Sequence, residues 1–290
     1  MPLAKSSPCK VNLLLNILAR RADGFHELET VMQPVPLSDV LEFEKAPRGI
    51  QLTCTDSSLP TDGNNLVHRA AQAILRAAGI HDGVRIRLDK RIPKAAGLGG
   101  GSGDAAATLL GLNELFGSPL PHSRLVELAG ALGSDVPFFL QPNPALGTGR
   151  GERIEPLEPF VALRGAFILL VHPGFGISTP WAYKQLARFP DAVNGRPGRA
   201  AALVAALRAD GLAEAAAGFY NSLEVPALAK FPVLALYQEF LRERGAAGAL
   251  MSGSGSTTFA LVQSRPQGEK LAEAFRCRFG AAPWIELLAL

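Results

Sequence analysis

The sequence predicts an α+β protein made of two domains. Its 290 residues are about twice the usual domain length of roughly 150 residues. Short apolar strands and amphipathic helices occur in both halves of the chain, and a stretch rich in proline and glycine at residues 141–151 separates the two sets. We therefore predict one domain over residues 1–150 and a second domain over residues 151–290.

The first half combines strands with helices. Val84, Ile86 and Leu88 alternate with charged residues, which is the pattern of a half-buried strand. Apolar residues recur every four positions over residues 65–78, and Gly79 then supplies a helix stop signal. The same criteria predict strands at residues 11–18, 40–43, 50–54, 84–88 and 136–140, and helices at residues 65–78, 105–116 and 123–132.

The second half continues this mixture and contains no internal repeat. Its longest apolar stretch near the middle of the chain, residues 166–171, is far shorter than the roughly 20 residues of a transmembrane helix. The predicted strands are residues 167–171, 246–250 and 258–262, and the predicted helices are residues 179–188, 199–217, 231–244 and 268–278.

Charge and cysteine content narrow the cellular setting. The net charge of +3 is too small to indicate a nucleic-acid or membrane surface as a partner. Cys9, Cys54 and Cys277 are odd in number and far apart, so neither a disulfide framework nor a zinc site is predicted. Asn12 and Asn16 interrupt the first apolar run, which argues against a signal peptide. We expect a cytoplasmic protein.

Residues 93–104 carry the strongest functional signal, because five of the seven residues from 97 to 103 are glycine. Glycine lets backbone N–H groups converge on a ligand, and the following helix adds a partly positive N-terminus. These features predict an anion site whose usual occupant is phosphate. The alternative is a turn in which Ser102 or Asp104 caps the helix. The candidate binding residues are Pro93, Lys94, Ala95, Ala96, Gly97, Leu98, Gly99, Gly100, Gly101, Ser102 and Gly103.

Spacing excludes several phosphate-binding motifs. No lysine follows these glycines, as a Walker loop requires, and the chain lacks the H-R-D and D-F-G motifs of protein kinases. Residues 101–106 match G-x-G-x-x-A only weakly as a dinucleotide motif, because no strand ending in an acidic residue follows about 20 residues later. The basic residues before the loop, among them Lys90, are predicted to line the solvent-exposed face of a strand.

Three further blocks accompany this loop. Residues 10–13 and 20–28 lie before it, residues 133–139 (GSDVPFF) follow it, and residues 251–256 (MSGSGS) lie near the C-terminus. In this order the four blocks resemble the GHMP kinases, and the triple glycine at 99–101 is similar to the branch that acts on a cytidine diphosphate derivative of methylerythritol. The resemblance implies an N-terminal α/β domain like domain 2 of ribosomal protein S5 and a ferredoxin-like α+β C-terminal domain.

The resemblance also implies an activity: transfer of the ATP γ-phosphoryl group to the 2-hydroxyl of cytidine diphospho-methylerythritol, in non-mevalonate isoprenoid biosynthesis. The partners would be this small molecule and ATP, with Mg²⁺ accompanying the ATP and no metal ligands of the protein's own. Lys10 would lie beside Asp135, the base, and help to neutralise the transferring phosphoryl group. The implied substrate residues are Asn12, Phe25, His26 and Tyr183, and the implied loop over the phosphates contains Gly253, Ser254 and Gly255.

Two alternatives remain at this point. A different GHMP kinase would act on a sugar, homoserine or mevalonate, although Phe25 and His26 favour a base-containing substrate. A nucleotide-binding protein without catalysis would be the second alternative, because Gly103 stands where the family usually has a second serine. Oligomeric state is not predicted.

Overall fold

The computed structural model describes residues 2–290, which form two compact units that are each discontinuous in sequence. One unit comprises the chain up to Cys9 together with Leu37–Pro93 and Gly99–Pro142. The other comprises Lys10–Pro36, Lys94–Leu98 and Asn143–Leu290. The glycine-rich loop therefore contributes residues to both units. The division at residue 150 stays a prediction.

The structure combines strands and helices, as the α+β prediction requires. The strands are β1 (Leu3–Arg20), β2 (His26–Ala46), β3 (Ile50–Cys54), β4 (Gly83–Asp89), β5 (Ala145–Thr148), β6 (Arg153–Pro156), β7 (Phe167–His172), β8 (Tyr220–Asn221), β9 (Gly248–Met251), β10 (Thr258–Val262) and β11 (Trp284–Ala289). The helices are α1 (Leu66–Ala77), α2 (Gly100–Leu115), α3 (His122–Leu132), α4 (Thr179–Gln185), α5 (Pro190–Val193), α6 (Arg199–Arg208), α7 (Leu212–Ala216), α8 (Glu224–Lys230), α9 (Val233–Glu243) and α10 (Arg265–Phe279).

In the first unit, β4 lies between β3, to which it is parallel, and the second half of β2, to which it is antiparallel. The predicted alternation in β4 is confirmed: Val84, Ile86 and Leu88 are buried, whereas Arg85 and Arg87 are exposed. The helices α1, α2 and α3 pack against one another. One face of the sheet is therefore apolar and the other carries surface ion pairs.

Helix α2 approaches the sheet closely at Gly111. Gly111 is buried, and a Cβ added there would lie 2.5 Å from Cε2 of the Phe43 ring. Phe43 is fully buried in β2 and paired with Ile86 of β4. The helix that follows the glycine loop is therefore fixed on the sheet at a distance that only glycine permits at this position.

In the second unit, four antiparallel strands form a sheet in the order β11-β7-β10-β9. Its core includes Leu169, Val171, Ala260 and Phe275, with α9 and α10 packed on the sheet. This unit also holds the parallel pairing of β1 with β8 and the antiparallel pairing of β2 with β5. Within residues 2–290, no helix has the length and hydropathy needed to cross a bilayer.

Several predicted elements differ from the structure. Residues 136–140 form a buried 3-10 helix, so the predicted strand is wrong; Pro137 near its start provides helical φ and no strand hydrogen bond. Helix α2 begins at Gly100, five residues before the predicted start, because packing overrides the low helix propensity of glycine. The predicted helix at 199–217 is two helices, because Gly211 breaks it with φ +143°.

Two of the missed strands, β5 and β6, lack a local strand signal. They lie at or next to the predicted boundary and are short segments with glycine or proline, which have low strand propensity. β6 pairs with β5 next to it in sequence, and β5 pairs with the distant β2, as Thr30 pairs with Gly147. The predicted strands at 11–18 and 40–43 are parts of the much longer β1 and β2. Helix α8 and strands β8 and β11 were not predicted.

The approach of α2 to the sheet yields a stability prediction. Gly111→Ala should lower the free energy of unfolding by about 1–3 kcal/mol, because the new methyl group overlaps the Phe43 ring. Gly130→Ala is the matched control, since Gly130 lies in α3 with nothing within 4 Å of the added Cβ. That variant should gain about 0.5–1 kcal/mol from helix propensity. Urea unfolding measures the free energy of unfolding of both variants. Equal changes in Gly111→Ala and Gly130→Ala would contradict the packing explanation.

Candidate active site

The first part of the glycine-rich loop is hydrogen-bonded to residues 252–257. We call these residues the third-motif loop, because their block resembles the third sequence motif of the GHMP kinases. The Ser252 hydroxyl donates to the Gly97 carbonyl at 2.9 Å, and the Thr257 amide donates to the Ala96 carbonyl at 3.1 Å. Gly97 has φ +76°, and a Cβ there would overlap the Ser252 carbonyl oxygen and lie 2.9 Å from the Gly255 nitrogen. Backbone therefore packs directly on backbone, and no other residue fits at position 97.

The third-motif loop is itself held by a buried asparagine that the sequence analysis missed. The side-chain amide of Asn221, which is 2% exposed, donates to the Met251 carbonyl at 2.7 Å and to the Gly253 carbonyl at 2.8 Å. Gly253 and Gly255 both have positive φ, and the Ser254 hydroxyl pairs with that of Thr179 at 2.8 Å. Asn221 follows an alanine-rich segment and has no local sequence signal.

Lys10 and Asn12 adjoin this packed region on β1. The Lys10 amide donates to the Leu98 carbonyl at 2.9 Å, and the Asn12 amide donates to the Ser252 hydroxyl at 3.3 Å. Both side chains are 2% exposed, and the Lys10 ammonium donates to Asn12 Oδ1. Asn12 Nδ2 in turn donates to Thr30 Oγ1 at 2.8 Å. The carboxamide therefore orients the lysine, and Thr30 fixes the carboxamide.

The second part of the glycine-rich loop forms the first turn of α2. Gly99 occupies the N-cap position with φ +72° and provides no side-chain cap, and the first helical bond runs from the Gly103 amide to the Gly99 carbonyl at 2.9 Å. The amides of Gly100, Gly101 and Ser102 precede that bond and have no acceptor within the helix. Gly101 is exposed, and a Cβ there would meet only Leu66 Cδ1, at 3.8 Å. This turn can bind an anion.

Gly103 faces the protein interior. It is buried, and a Cβ added there would lie 2.8 Å from the Pro8 carbonyl oxygen and 2.8 Å from the Ser7 hydroxyl. A serine at this position would press on β1 and would not add a hydroxyl to the exposed side of the turn. Glycine at 103 is thus a packing requirement of this chain, which removes the ground for expecting a protein without catalysis.

A buried ion cluster under α2 was missed in the sequence analysis. Lys90 Nζ contacts Asp39 and lies 2.9 Å from Asp104 Oδ2, and the three side chains are 8%, 0% and 3% exposed. Asp39 also accepts the amides of Arg91 and Ile92, at 2.6 and 2.9 Å. The expectation that Lys90 lies on the solvent-exposed face is therefore wrong. Its partners are 51 and 14 residues away in sequence, so no local pattern indicates the cluster.

Charges in this cluster are strongly coupled. Burial raises the pKa of Asp104 to about 7, and the Asp39 carboxylate adds to the rise while Lys90 opposes it. Burial acts to lower the pKa of Lys90, but the carboxylates of Asp104 and Asp39 outweigh it and raise that pKa, so the ammonium stays charged. Asp104 lies one residue beyond the glycine-rich loop. The cluster therefore fixes the turn that presents the three free amides.

Asp135 precedes the buried 3-10 helix of the first unit. It is half-buried, with φ −82° and ψ −15°, and a hydrogen bond from the Val136 amide to the Gly133 carbonyl at 3.2 Å closes the turn around it. The five residues after it are all buried, so the backbone that carries the carboxylate is anchored by apolar packing.

The aromatic candidates lie in the second unit. The His26 and Tyr183 rings have centroids 5.2 Å apart and are tilted by 36°. Burial, with a smaller contribution from the Arg20 cation, lowers the pKa of His26 and keeps its imidazole neutral near pH 7. Phe25 is 51% exposed, and the Arg150 guanidinium lies 4.7 Å from its ring centroid. His26 and Tyr183 are thus brought together, and Phe25 gains a neighbour that the sequence analysis did not assign.

Comparisons with known proteins show the family to which this chain belongs. Residues 65–142 match the GHMP kinases N terminal domain, and residues 200–282 match the GHMP kinases C terminal model. A 4-diphosphocytidyl-2-C-methyl-D-erythritol kinase from Pelotomaculum thermopropionicum is 43% identical over 277 residues, which cover 95% of this chain and 94% of the relative. The chain belongs to the 4-diphosphocytidyl-2-C-methyl-D-erythritol kinases of the GHMP family.

Other relatives support this family membership. A kinase of the same name from Synechococcus sp. is 42% identical and covers 88% of this chain and 83% of its own length. The crystal structure of a 4-(cytidine 5'-diphospho)-2C-methyl-D-erythritol kinase superposes with a TM-score of 0.77 at 37% identity, and 99% of each chain is covered. Homoserine kinase from Cytophaga hutchinsonii, at 22% identity and a TM-score of 0.73, shares the fold. The predicted two-domain GHMP fold and small-molecule kinase class are confirmed.

The backbone contact at residue 97 predicts that alanine has different effects on stability at two glycines of the same loop. Gly97→Ala should lower the thermal unfolding midpoint by several degrees, because the methyl group overlaps the Ser252 carbonyl and the backbone has positive φ. Gly101→Ala, in the same loop, should not lower the midpoint, because its Cβ has room and alanine has the higher helix propensity. Equal midpoints for the two variants, measured by calorimetry without nucleotide, would contradict the packing described here.

Lys90 should matter chiefly for stability. Lys90→Met leaves two buried carboxylates without their cation and should lower the free energy of unfolding by about 3–5 kcal/mol near pH 8. This loss of unfolding free energy should become smaller toward about pH 5, because Asp104 is then protonated and the variant no longer buries its unpaired negative charge. Arg85→Met, which breaks the exposed pair with Glu44, is the control and should cost less than about 1 kcal/mol. If Lys90→Met lowered the free energy of unfolding no more than Arg85→Met, the proposed contribution of the buried cluster to stability would be refuted.

Proposed function

We propose that this kinase transfers the γ-phosphoryl group of ATP to the 2-hydroxyl of 4-diphosphocytidyl-2-C-methyl-D-erythritol, a step of non-mevalonate isoprenoid biosynthesis. The observation that carries the proposal is the near full-length relationship to kinases named for this substrate, at 43% identity over 95% of the chain. Lys10, Asp135 and the glycine-rich loop, the residues this chemistry needs, are all present in the chain.

The first turn of α2 is proposed to bind the ATP phosphates. The amides of Gly100, Gly101 and Ser102 have no helical acceptor, and the partial positive charge of a 16-residue helix adds to their attraction for an anion. An exposed Gly101 lets the phosphates approach without a Cβ between them and the backbone. Pro93–Leu98 would lead the chain into this turn, and Gly253, Ser254 and Gly255 would orient the phosphates from the third-motif loop.

Lys10 and Asp135 are proposed to act on the transferring group. Phosphoryl transfer depends mainly on positioning and on charge stabilisation, with an acceptor for the proton of the alcohol. The buried Lys10 ammonium, oriented by Asn12, would neutralise charge on the phosphoryl group. Asp135 would orient the 2-hydroxyl and accept its proton late in the transfer.

Magnesium is proposed to arrive on the ATP. Among residues 2–290, no three His, Cys, Asp or Glu side chains form a group that could hold a metal ion. The amides at the start of α2 suit phosphate oxygens and not a cation, so Mg²⁺ would be bound through phosphate oxygens and would keep water ligands. When bound, Mg²⁺ supplies neutralisation of the β- and γ-phosphate charge.

The cytosine base is proposed to bind at Phe25 and His26. An exposed ring can stack on a base, and such stacking contributes roughly 1–3 kcal/mol per base. A neutral imidazole carries one donor and one acceptor, which lets His26 hydrogen-bond to cytosine. Tyr183 is proposed to contact the base and holds the His26 ring by their packing.

A coupled ADP-release assay tests the function. The wild type should release ADP with the cytidine diphospho substrate and not with a simple sugar, homoserine or mevalonate. Turnover of one of those three, with none of the cytidine substrate, would contradict the proposal and point to a different GHMP kinase.

The same assay tests the proposed base. Asp135→Asn should reduce kcat by about 100-fold or more, with ATP affinity and folding nearly intact, because the isosteric amide cannot accept the proton. Asp82→Asn, at an exposed aspartate of the same unit, is the control and should keep full activity. Near-normal kcat in Asp135→Asn would remove Asp135 from this role.

A further inference from the structure

The middle glycine cluster of the chain, residues 147–151, has no role in the proposed reaction so far. Its one long side chain, Arg150, lies with its guanidinium 4.7 Å from the ring centroid of Phe25. Phe25 is one of few large apolar side chains that stay exposed, at 51%. An aromatic ring that is half open to solvent and covered on one face by a guanidinium has a single face left for a flat ligand.

The turn that carries Arg150 is tightly specified. Gly149 and Gly151 have φ +72° and +101°, and the Gly151 amide donates to the Thr148 carbonyl at 3.0 Å. Glu152 Oε2 accepts the Arg150 amide at 2.7 Å, and its Oε1 lies 3.7 Å from Arg150 Nε. The Arg150 backbone and side chain are therefore both held by Glu152.

The same turn is joined to the strand that follows Phe25. The Leu28 amide donates to the Gly149 carbonyl at 2.8 Å, three residues after Phe25. Phe25 has its own backbone restraints, since the Arg21 amide donates to the Phe25 carbonyl at 2.8 Å and the Phe25 amide donates to Asp23 Oδ1 at 3.1 Å. Backbone position is thus set on both sides of the contact, and the Arg150 guanidinium contacts the ring itself.

We infer that Arg150 is a positioning residue of the base subsite, which covers one face of Phe25 and so holds the ring ready to stack a pyrimidine base on the other. The inference rests on the proposed function. Arginine suits this position because its planar guanidinium stacks on a ring face and stays charged at every relevant pH. Arg150 touches Phe25 and acts on the substrate through that ring.

A competing explanation makes the opposite prediction. If the guanidinium occupied the place that the base itself must take, Arg150 would have to leave before the substrate binds. Its removal would then tighten substrate binding. If Arg150 only stabilised the turn, its removal would lower the unfolding midpoint and the amount of active protein without a selective effect on one substrate.

The test compares Arg150→Ala, Arg150→Met and Arg150→Lys with Arg153→Ala, a control that removes an exposed arginine three residues away. Steady-state kinetics give kcat and the KM values for the cytidine substrate and for ATP, and calorimetric titration with cytidine monophosphate gives binding of the base without catalysis. Arg150→Ala should raise the cytidine-substrate KM and the nucleotide Kd about three- to tenfold, with kcat and the ATP KM within about twofold of wild type.

Arg150→Lys should show a smaller increase in the cytidine-substrate KM than Arg150→Ala, because a cation over the ring is retained without the planar stack. Arg150→Met measures the part of the effect that comes from apolar contact with the ring alone. Unchanged or lowered KM for the cytidine substrate in Arg150→Ala and Arg150→Met, in protein with a wild-type unfolding midpoint, would overturn the inference. Equal losses in kcat and in both KM values would overturn it too. Failure of the proposed function is recognised separately, because the wild type itself would then not turn over the cytidine substrate, and the inference would fall with it.

Discussion

Backbone-to-backbone packing between Gly97 and the Ser252–Gly255 segment is the constraint on which the candidate site depends. The two segments are 155 residues apart in sequence and leave no space for a Cβ at residue 97. Hydrogen bonds at Ser252 and Thr257 fix the register of this contact. Positive φ at Gly97 accompanies the same contact, so this packing restrains residues 96–98 before any nucleotide arrives. A segment that is already restrained would lose little conformational entropy in the proposed binding of phosphate.

Two buried lysines, Lys10 and Lys90, contact different kinds of side chain. Lys90 is shared by two carboxylates, so its charge is compensated inside the protein and its effect is to hold α2 in place. Lys10 donates to the carboxamide of Asn12, which orients the ammonium. Lys10, for which we propose a role in phosphoryl transfer, and Lys90, which is paired with two carboxylates, are both nearly fully buried.

The sequence reveals those features whose cause is local. Alternation in β4 and the i+4 repeat of α1 depend on neighbouring residues only, and both are present. The glycine-rich loop is also recognisable in the sequence, because five glycines fall within seven residues, although the contacts that require Gly97 and Gly103 are made with distant residues. Contacts between residues that are distant in sequence could not be predicted in this way. Examples are the contacts of Lys90 with Asp39, of Asn221 with Gly253 and of Arg150 with Phe25, which form only when the chain folds. The segment at 136–140 shows a further limit, because a short, wholly buried apolar run has no periodicity that separates strand from helix.

Amide hydrogen exchange in the nucleotide-free protein tests the preformed loop most directly. The informative amides are those of Thr257, bonded to the Ala96 carbonyl, and Lys10, bonded to the Leu98 carbonyl. A loop held by this packing should protect both amides on the order of 100-fold or more relative to an unstructured peptide, with little further change when ATP is added. Exchange at the unprotected rate without nucleotide, with protection appearing only on ATP binding, would contradict the account.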